Sequence, residues 1–175
     1  MTGLRGWRDG AILGLLLGCG LRRSEVVGLT VEQLQMREGR WVIVDLLGKG
    51  RRLRTVPVPS WSKQLLDAWF RHSGVSQGRV FRRISKNGER RESGVTANVV
   101  WYAVKRCARQ AGIANLTPHD LRRYAESGIM PNRDSKMLSK LRESCRSSVV
   151  RRDPCGIIRC ASQDMDEAQH SPSVV

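Results

Sequence analysis

All nine aromatic side chains of this chain, Trp7, Trp41, Trp61, Trp69, Phe70, Phe81, Trp101, Tyr102 and Tyr124, fall before residue 125. The stretch from there to Val175 has none and is rich in Ser, Arg and Asp. A packed core needs large apolar groups whose burial offsets the entropy of ordering the chain. The distribution therefore predicts one folded domain over residues 1–125 and a low-order tail over 126–175. An apolar share of 40% in 175 residues suits a single core. The longest apolar stretch, Ala11 to Cys19, is shorter than the about 20 residues that a bilayer helix needs. Gly14 and Gly18 interrupt it, and it reads as a buried helix, with no membrane partner expected. The arginines near the start are accompanied by Asp9, and no small-residue cleavage site follows, so no secretory leader is expected. Five cysteines (Cys19, Cys107, Cys145, Cys155, Cys160) form no CxxC pair, which points to a reduced, cytoplasmic protein. The spacing of Cys145, Cys155, Cys160 and His170 does not suit a metal site.

Charge is as unevenly placed as the aromatics. The chain carries 31 Lys and Arg against 16 Asp and Glu, and residues 1–125 hold 23 of the former and 9 of the latter. Basic doublets recur at Arg22-Arg23, Arg51-Arg52, Arg82-Arg83, Arg90-Arg91, Lys105-Arg106 and Arg122-Arg123. A solubilising surface explains a net charge of about 2–8, and this domain exceeds it. A polyanion releases counterions on meeting such a surface, so nucleic acid is the expected partner.

Periodicity places the elements. Arg8 to Leu17 reads as an apolar helix stopped by the glycines at 18 and 20, and Leu21 to Leu29 as a second, short helix. Gln33–Arg37, Trp41–Leu47 and Arg51–Val58 read as a three-stranded antiparallel meander, with Glu38-Gly39 and Gly48-Lys49-Gly50 as its turns. Ser60 is placed to cap a helix from Trp61 to His72 with Leu65, Leu66, Trp69 and Phe70 inward. A short extended piece at Val80-Phe81 leads into a polar loop through Asn87-Gly88. Thr96 then caps a helix whose Val100, Val104, Cys107, Ala108 and Ala111 form one stripe, closed by Gly112. Helices around a small antiparallel sheet make the class α+β.

The most informative stretch is Thr117-Pro118-His119-Asp120-Leu121-Arg122-Arg123. Thr117 suits an N-cap and Pro118 the first helical position, which sets His119 and Arg122 on one face of the first turns, with Asp120 facing elsewhere. Helix amides and an arginine fork favour an anion there. Taken alone, this is also what a capped helix with exposed basic residues looks like.

Its company decides the reading. Cys19-Gly20-Leu21-Arg22-Arg23-Ser24-Glu25-Val26-Val27-Gly28-Leu29, then Gly48-Lys49-Gly50 with Arg54-Thr55-Val56-Pro57-Val58-Pro59, then Pro118-His119-Asp120-Leu121-Arg122-Arg123 occur in this order. Over residues 3–123 the chain closely resembles the catalytic domain of the tyrosine recombinase (phage integrase) family. The resemblance implies that Arg22 and Arg122 clamp the scissile phosphate and that Glu25 supports the site. Lys49 corresponds to the general acid towards the leaving 5′-oxygen, and His119 to the acid/base histidine. Arg23, Arg51, Arg52, Arg54 and Arg123 are expected to contact double-stranded DNA. Family members have an α+β fold, need no metal or other cofactor, and cleave DNA through a 3′-phosphotyrosine, usually as tetramers on two duplexes. Two rigid guanidinium forks stabilise charge gathering on the non-bridging oxygens of a pentacovalent phosphate, and a lysine in a tight turn can donate a proton at close range.

The family pattern continues with a Gly-His or Trp position and then the nucleophilic tyrosine. In this sequence no tyrosine follows Tyr124, no tryptophan follows Trp101, and the later histidine, His170, lies in an acidic, Ser-rich region. Tyr124, two residues past Arg122, points to another side of its helix and reads as a packing residue, and Tyr102 as core or flank. The expectation is a recombinase domain truncated in front and out of frame after Arg123 or Tyr124, without its nucleophile. The alternative is a non-enzymatic basic DNA-binding module derived from an integrase. A type IB topoisomerase fits the GLRRSE and GKG boxes less well, and a general RNA-binding protein leaves the three ordered motifs unexplained.

Overall fold

A computed structural model describes residues 3–48, 52–127 and 139–140 of the chain. Lys49, Gly50 and Arg51 lie outside the described residues, as do Cys145, Cys155, Cys160, His170 and nearly all of the expected tail. In chain order the elements are α1 (Leu4–Cys19), α2 (Arg23–Gly28), a single 3-10 turn (Val31–Gln33), β1 (Leu34–Arg37), β2 (Arg40–Leu47) and β3 (Leu53–Pro57). There follow α3 (Ser60–Ser73), β4 (Arg82–Ile84), β5 (Arg90–Gly94), α4 (Ala97–Gln110) and α5 (Pro118–Ser127). The class is α+β, with a three-stranded antiparallel sheet in the order β1-β2-β3. No helix among the described residues is long and apolar enough to cross a membrane.

α1 is the centre of the core. Ala11, Ile12, Leu13, Leu15 and Leu16 have no exposed surface, and the helix packs against α2, α3, α4 and α5. Its glycines are contacts rather than stops. A Cβ at Gly14 would lie 2.9 Å from Leu65 Cδ1, and one at Gly18 would lie 3.1 Å from Trp61 Cζ2 and from Ser62 Cβ. These two positions let α3 close onto α1, so the helix runs through the expected break at Gly18 and ends after Cys19. Gly20 stops it by taking φ 59°, a left-handed conformation that costs glycine little.

The main sheet pairs Leu34 with Ile43 and Met36 with Trp41, then Ile43 with Val56 and Leu46 with Arg54. A bulge between Ile43 and Leu46 turns β2 at Asp45, which has φ 53°. Gln33, expected in the first strand, instead closes the 3-10 turn, and its amide donates to the carbonyls of Val44 and Asp45 at the bulge. The antiparallel order β1-β2-β3 and the turn at Glu38-Gly39 are as the sequence predicts; β3 spans Leu53–Pro57, and the expected Gly48-Lys49-Gly50 turn lies mostly outside the described residues.

Three local expectations need correction. The polar loop through Asn87-Gly88 is the tip of a second hairpin, β4–β5, which pairs Arg82 with Gly94 and Ile84 with Arg90. Its strand β5 is almost wholly exposed and polar, so it lacks the apolar alternation that reveals a strand. Ser60 is the first residue of α3 rather than its cap, a place taken by Pro59. Thr96 does hold the cap position of α4, but its hydroxyl makes no capping bond. Leu65, Leu66 and Trp69 of α3 and Val100, Val104, Cys107 and Ala108 of α4 are buried as expected, and Phe70 is partly covered. Cys19 and Cys107 are buried and unpaired.

Candidate functional site

The end of α1 sets the site. After Gly20 the chain is extended through fully buried Leu21 to Arg22, which occupies the N-cap position of α2 with φ −71° and ψ 152°. Placed there, its amide has no helical partner, and Glu25 supplies one. Glu25 Oε2 accepts from the Arg22 amide at 2.7 Å, and Oε1 from Arg22 Nη1 at 2.9 Å. Arg54 Nη2, arriving from β3, donates to Oε2 at 2.8 Å. Arg122 of α5 brings Nη1 to 3.9 Å from the same oxygen and donates from it to the Gly20 carbonyl at 3.2 Å. The Glu25 side chain is only 4% exposed. Burial alone would raise its pKa, but the Arg22 amide, the Arg22 guanidinium and Arg54 outweigh it and hold the carboxyl below its ordinary value. Three guanidinium groups around one carboxylate leave the cluster cationic and suited to a further anion.

α5 is built as its sequence predicts. The Thr117 amide donates to Asp120 Oδ2 at 2.9 Å, and the Asp120 amide donates to Thr117 Oγ1 at 3.3 Å, a reciprocal cap. The Thr117 hydroxyl, bonded to the carboxylate, holds Asp120 below its ordinary pKa. This cap fixes the helix start, so that Arg122 turns inward while His119, one turn earlier, stays exposed. Tyr124 packs partly buried against the core, and Tyr102 is exposed on α4.

Gly48, the last described residue before Lys49, lies beside this cluster. Gly48 donates to the Arg52 carbonyl at 2.9 Å, and a Cβ at Gly48 would lie 3.9 Å from Arg22 Nη1. The structure thus gathers Arg22, Glu25 and Arg122, with Gly48 next to them, while His119 is exposed and Lys49 lies outside the described residues. Arg23, Arg52 and Arg123 are exposed around it. Arg23 lies 6.0 Å from the Trp101 ring centroid, and Lys105 lies 5.2 Å from the same ring. Arg54 differs from the other flanking arginines, because its guanidinium faces Glu25. Its spacing in the sequence resembles theirs, and only the side of β3 on which it falls sets it apart. Among the described residues, no group of three or more His, Cys, Asp or Glu is arranged to hold a metal ion.

Fold and cluster together define an α+β domain in which three arginines meet at one buried carboxylate. The chain belongs to the phage integrase family, whose model matches residues 3–141. It is 34% identical over 126 residues to tyrosine recombinase XerC of Pseudomonas syringae pv. tomato, a match covering 70% of this chain and 39% of the relative. Tyrosine recombinase XerD of Pseudomonas putida is 35% identical over 122 residues, covering 67% of this chain and 39% of the relative. The chain therefore spans well under half the length of these relatives. The XerH site-specific recombinase in a post-cleavage complex with its palindromic difH substrate shares the fold, with a TM-score of 0.59 at 18% identity. That match covers 85% of this chain and 42% of XerH. The XerA recombinase follows with a TM-score of 0.54 at 16% identity, covering 85% of this chain and 54% of XerA.

Proposed function

We propose that this chain binds duplex DNA and carries the phosphodiester-handling part of a site-specific recombinase. The observation that carries the reading is the meeting of Arg22 and Arg122, distant in sequence, at one buried carboxylate beside Gly48. Membership of the phage integrase family and the DNA substrate in the XerH complex support it. In this reading the two guanidinium forks take the non-bridging oxygens of the scissile phosphate and stabilise their charge in the transition state. Glu25 fixes Arg22 and Arg122 relative to each other. Lys49 protonates the leaving 5′-oxygen and His119 acts as acid/base on the attacking side. Arg23, Arg51, Arg52 and Arg123 neutralise phosphates to either side, and assembly of four protomers on two duplexes belongs to the same proposal.

The chemistry also needs a nucleophile, and no tyrosine follows Tyr124 in this sequence. We therefore infer that residues 1–175 supply the clamp and not the nucleophile of this reaction. Incubation with a nicked suicide duplex, read on a denaturing gel, is expected to show no covalent adduct. An adduct that disappears in Tyr124→Phe would make Tyr124 the nucleophile and overturn this inference.

Binding itself is expected to weaken steeply with salt. Arg122→Ala should weaken it about tenfold and reduce the salt slope by about one phosphate, as loss of one charged phosphate contact does. Circular dichroism should show the fold intact. An unfolded Arg122→Ala would assign the residue to structure, through its bond to the Gly20 carbonyl.

A further inference from the structure

We infer that Arg54 is a positioning residue rather than a DNA contact: it ties strand β3, and with it Arg52 and Gly48, to the carboxylate that holds Arg22 and Arg122. The inference rests on the reading of the cluster as a phosphate clamp. Arg54 Nη2 is committed to Glu25 Oε2 at 2.8 Å. Its Nε is buried, with no hydrogen-bond partner among the described residues. A phosphate taken in bidentate fashion along that edge of the guanidinium needs both nitrogens open, and here neither is.

The position of Arg54 along the strand gives the tie its use. Arg54 pairs with Leu46 and its neighbour Leu53 with Leu47, the last ladder positions before Gly48, whose amide bonds to the Arg52 carbonyl. A displacement of β3 at Arg54 is therefore passed directly to Arg52 and Gly48. On the other side, Glu25 Oε2 is shared by the Arg22 amide, Arg54 and, at longer range, Arg122. Without Arg54 the carboxylate keeps its charge but loses one of its holders. It then competes harder with an incoming phosphate for Arg22 and Arg122, and the hairpin arm loses its anchor to α2. Both effects weaken phosphate binding through Glu25, and neither requires Arg54 to touch DNA.

A double-mutant cycle on the full chain separates the two roles, with affinity for a labelled random-sequence duplex as the readout. Arg54→Gln is expected to weaken binding about tenfold with the salt slope unchanged, because the lost charge neutralised a carboxylate and not a phosphate. In a Glu25→Gln background the same substitution should cost less than about twofold. Arg54→Lys, which keeps a cation near Oε2, should recover most of the affinity when Glu25 is present. If Arg54→Gln does not fold, Arg54→Met, which keeps the apolar stem and removes the charge, with and without Glu25→Gln gives the same comparison. An equal loss in both backgrounds, with a slope lower by about one, would make Arg54 a direct phosphate contact and overturn the inference. If the unaltered chain does not bind duplex at all, the clamp reading fails first and takes this inference with it.

Discussion

Trp69→Ala is expected to lower the unfolding free energy by about 3–5 kcal/mol, read as a shift of the denaturant midpoint at constant slope. Trp69 has no exposed surface and lies 6.3 Å, centroid to centroid, from the buried ring of Phe81. Its indole N–H donates to the Val80 carbonyl at 2.9 Å, while the Val80 amide donates to the Leu29 carbonyl at 2.9 Å. Leu29 is the residue after α2, the helix that carries Glu25. Removing the indole opens a cavity between α3 and the 80–81 segment, and it strips the Val80 carbonyl of its partner in a site water does not reach. Trp69→Phe keeps most of the packing and loses the hydrogen bond, so it should cost about 1–3 kcal/mol. DNA affinity per folded molecule should change by less than about twofold, because the cluster itself is untouched. A cost below about 1 kcal/mol for the alanine variant would show that this part of the core re-closes around the gap, contrary to its tight packing.

The parts of this molecule that could be read from the sequence are those whose signal is local. α3 and α4 bury one stripe each, and their leucine, tryptophan and valine spacing gives them away. α5 starts where Thr117 and Pro118 require, but the shared face expected for His119 and Arg122 is not what the helix shows, since Arg122 turns to Glu25 and the Gly20 carbonyl while His119 is exposed. The meander follows from the β-branched run Val42-Ile43-Val44 and its glycine turns. What stayed hidden depends on partners distant in the chain. Gly18 looks like a helix stop until Trp61 and Ser62 are seen to occupy the space a side chain would fill. Hairpin β4–β5 is held by its own ladder and by the Arg82 guanidinium on the carbonyls of Glu92 and Gln77, with Ile84 as its one apolar contact to the core among the β4 and β5 residues. Arg54 sits in a basic run where every arginine looks alike, and its inward turn depends on how β3 lies against α2. The convergence of Arg22 with Arg122 entered the sequence reading only through family resemblance, since nothing local in either motif requires it.

Asp9 presents the clearest case of a residue whose environment the sequence conceals, and its replacement carries the second large expected effect. It lies in the most apolar helix, 2% exposed, beside Arg8 at 5%. Arg8 donates to Asp9 Oδ1 from Nε at 3.1 Å and from Nη2 at 2.9 Å, and Arg106 of α4 places Nη1 3.3 Å from Oδ2. Burial pushes the Asp9 carboxyl above its ordinary pKa, and the attraction of Arg8, Arg106 and Arg5 does not cancel it. A carboxyl raised on folding favours the folded state most when protonated. Its contribution is therefore largest below the unfolded pKa and declines as pH rises towards the folded value. Wherever the group is ionised it is held at a net cost, although losing it alone is worse. Asp9→Ala leaves the buried Arg8 without its counter-charge and should cost about 3–5 kcal/mol. Replacing both members with apolar groups of similar volume, Arg8→Met with Asp9→Leu, removes the uncompensated charge and should restore stability to within about 1 kcal/mol of the original. Arg106, 28% exposed, can then turn its guanidinium to water. Denaturant titration of the single and double variants tests this, and a double variant no more stable than Asp9→Ala would show that the ion pair itself holds α1 to α4. Glu25 differs in both respects: its carboxyl is lowered rather than raised, and its arginines are partly open to solvent. Similar chemistry therefore serves opposite ends at the two carboxylates. At Asp9 the arginines only offset burial, whereas at Glu25 they leave Arg22 and Arg122 with charge that can be offered to a phosphate.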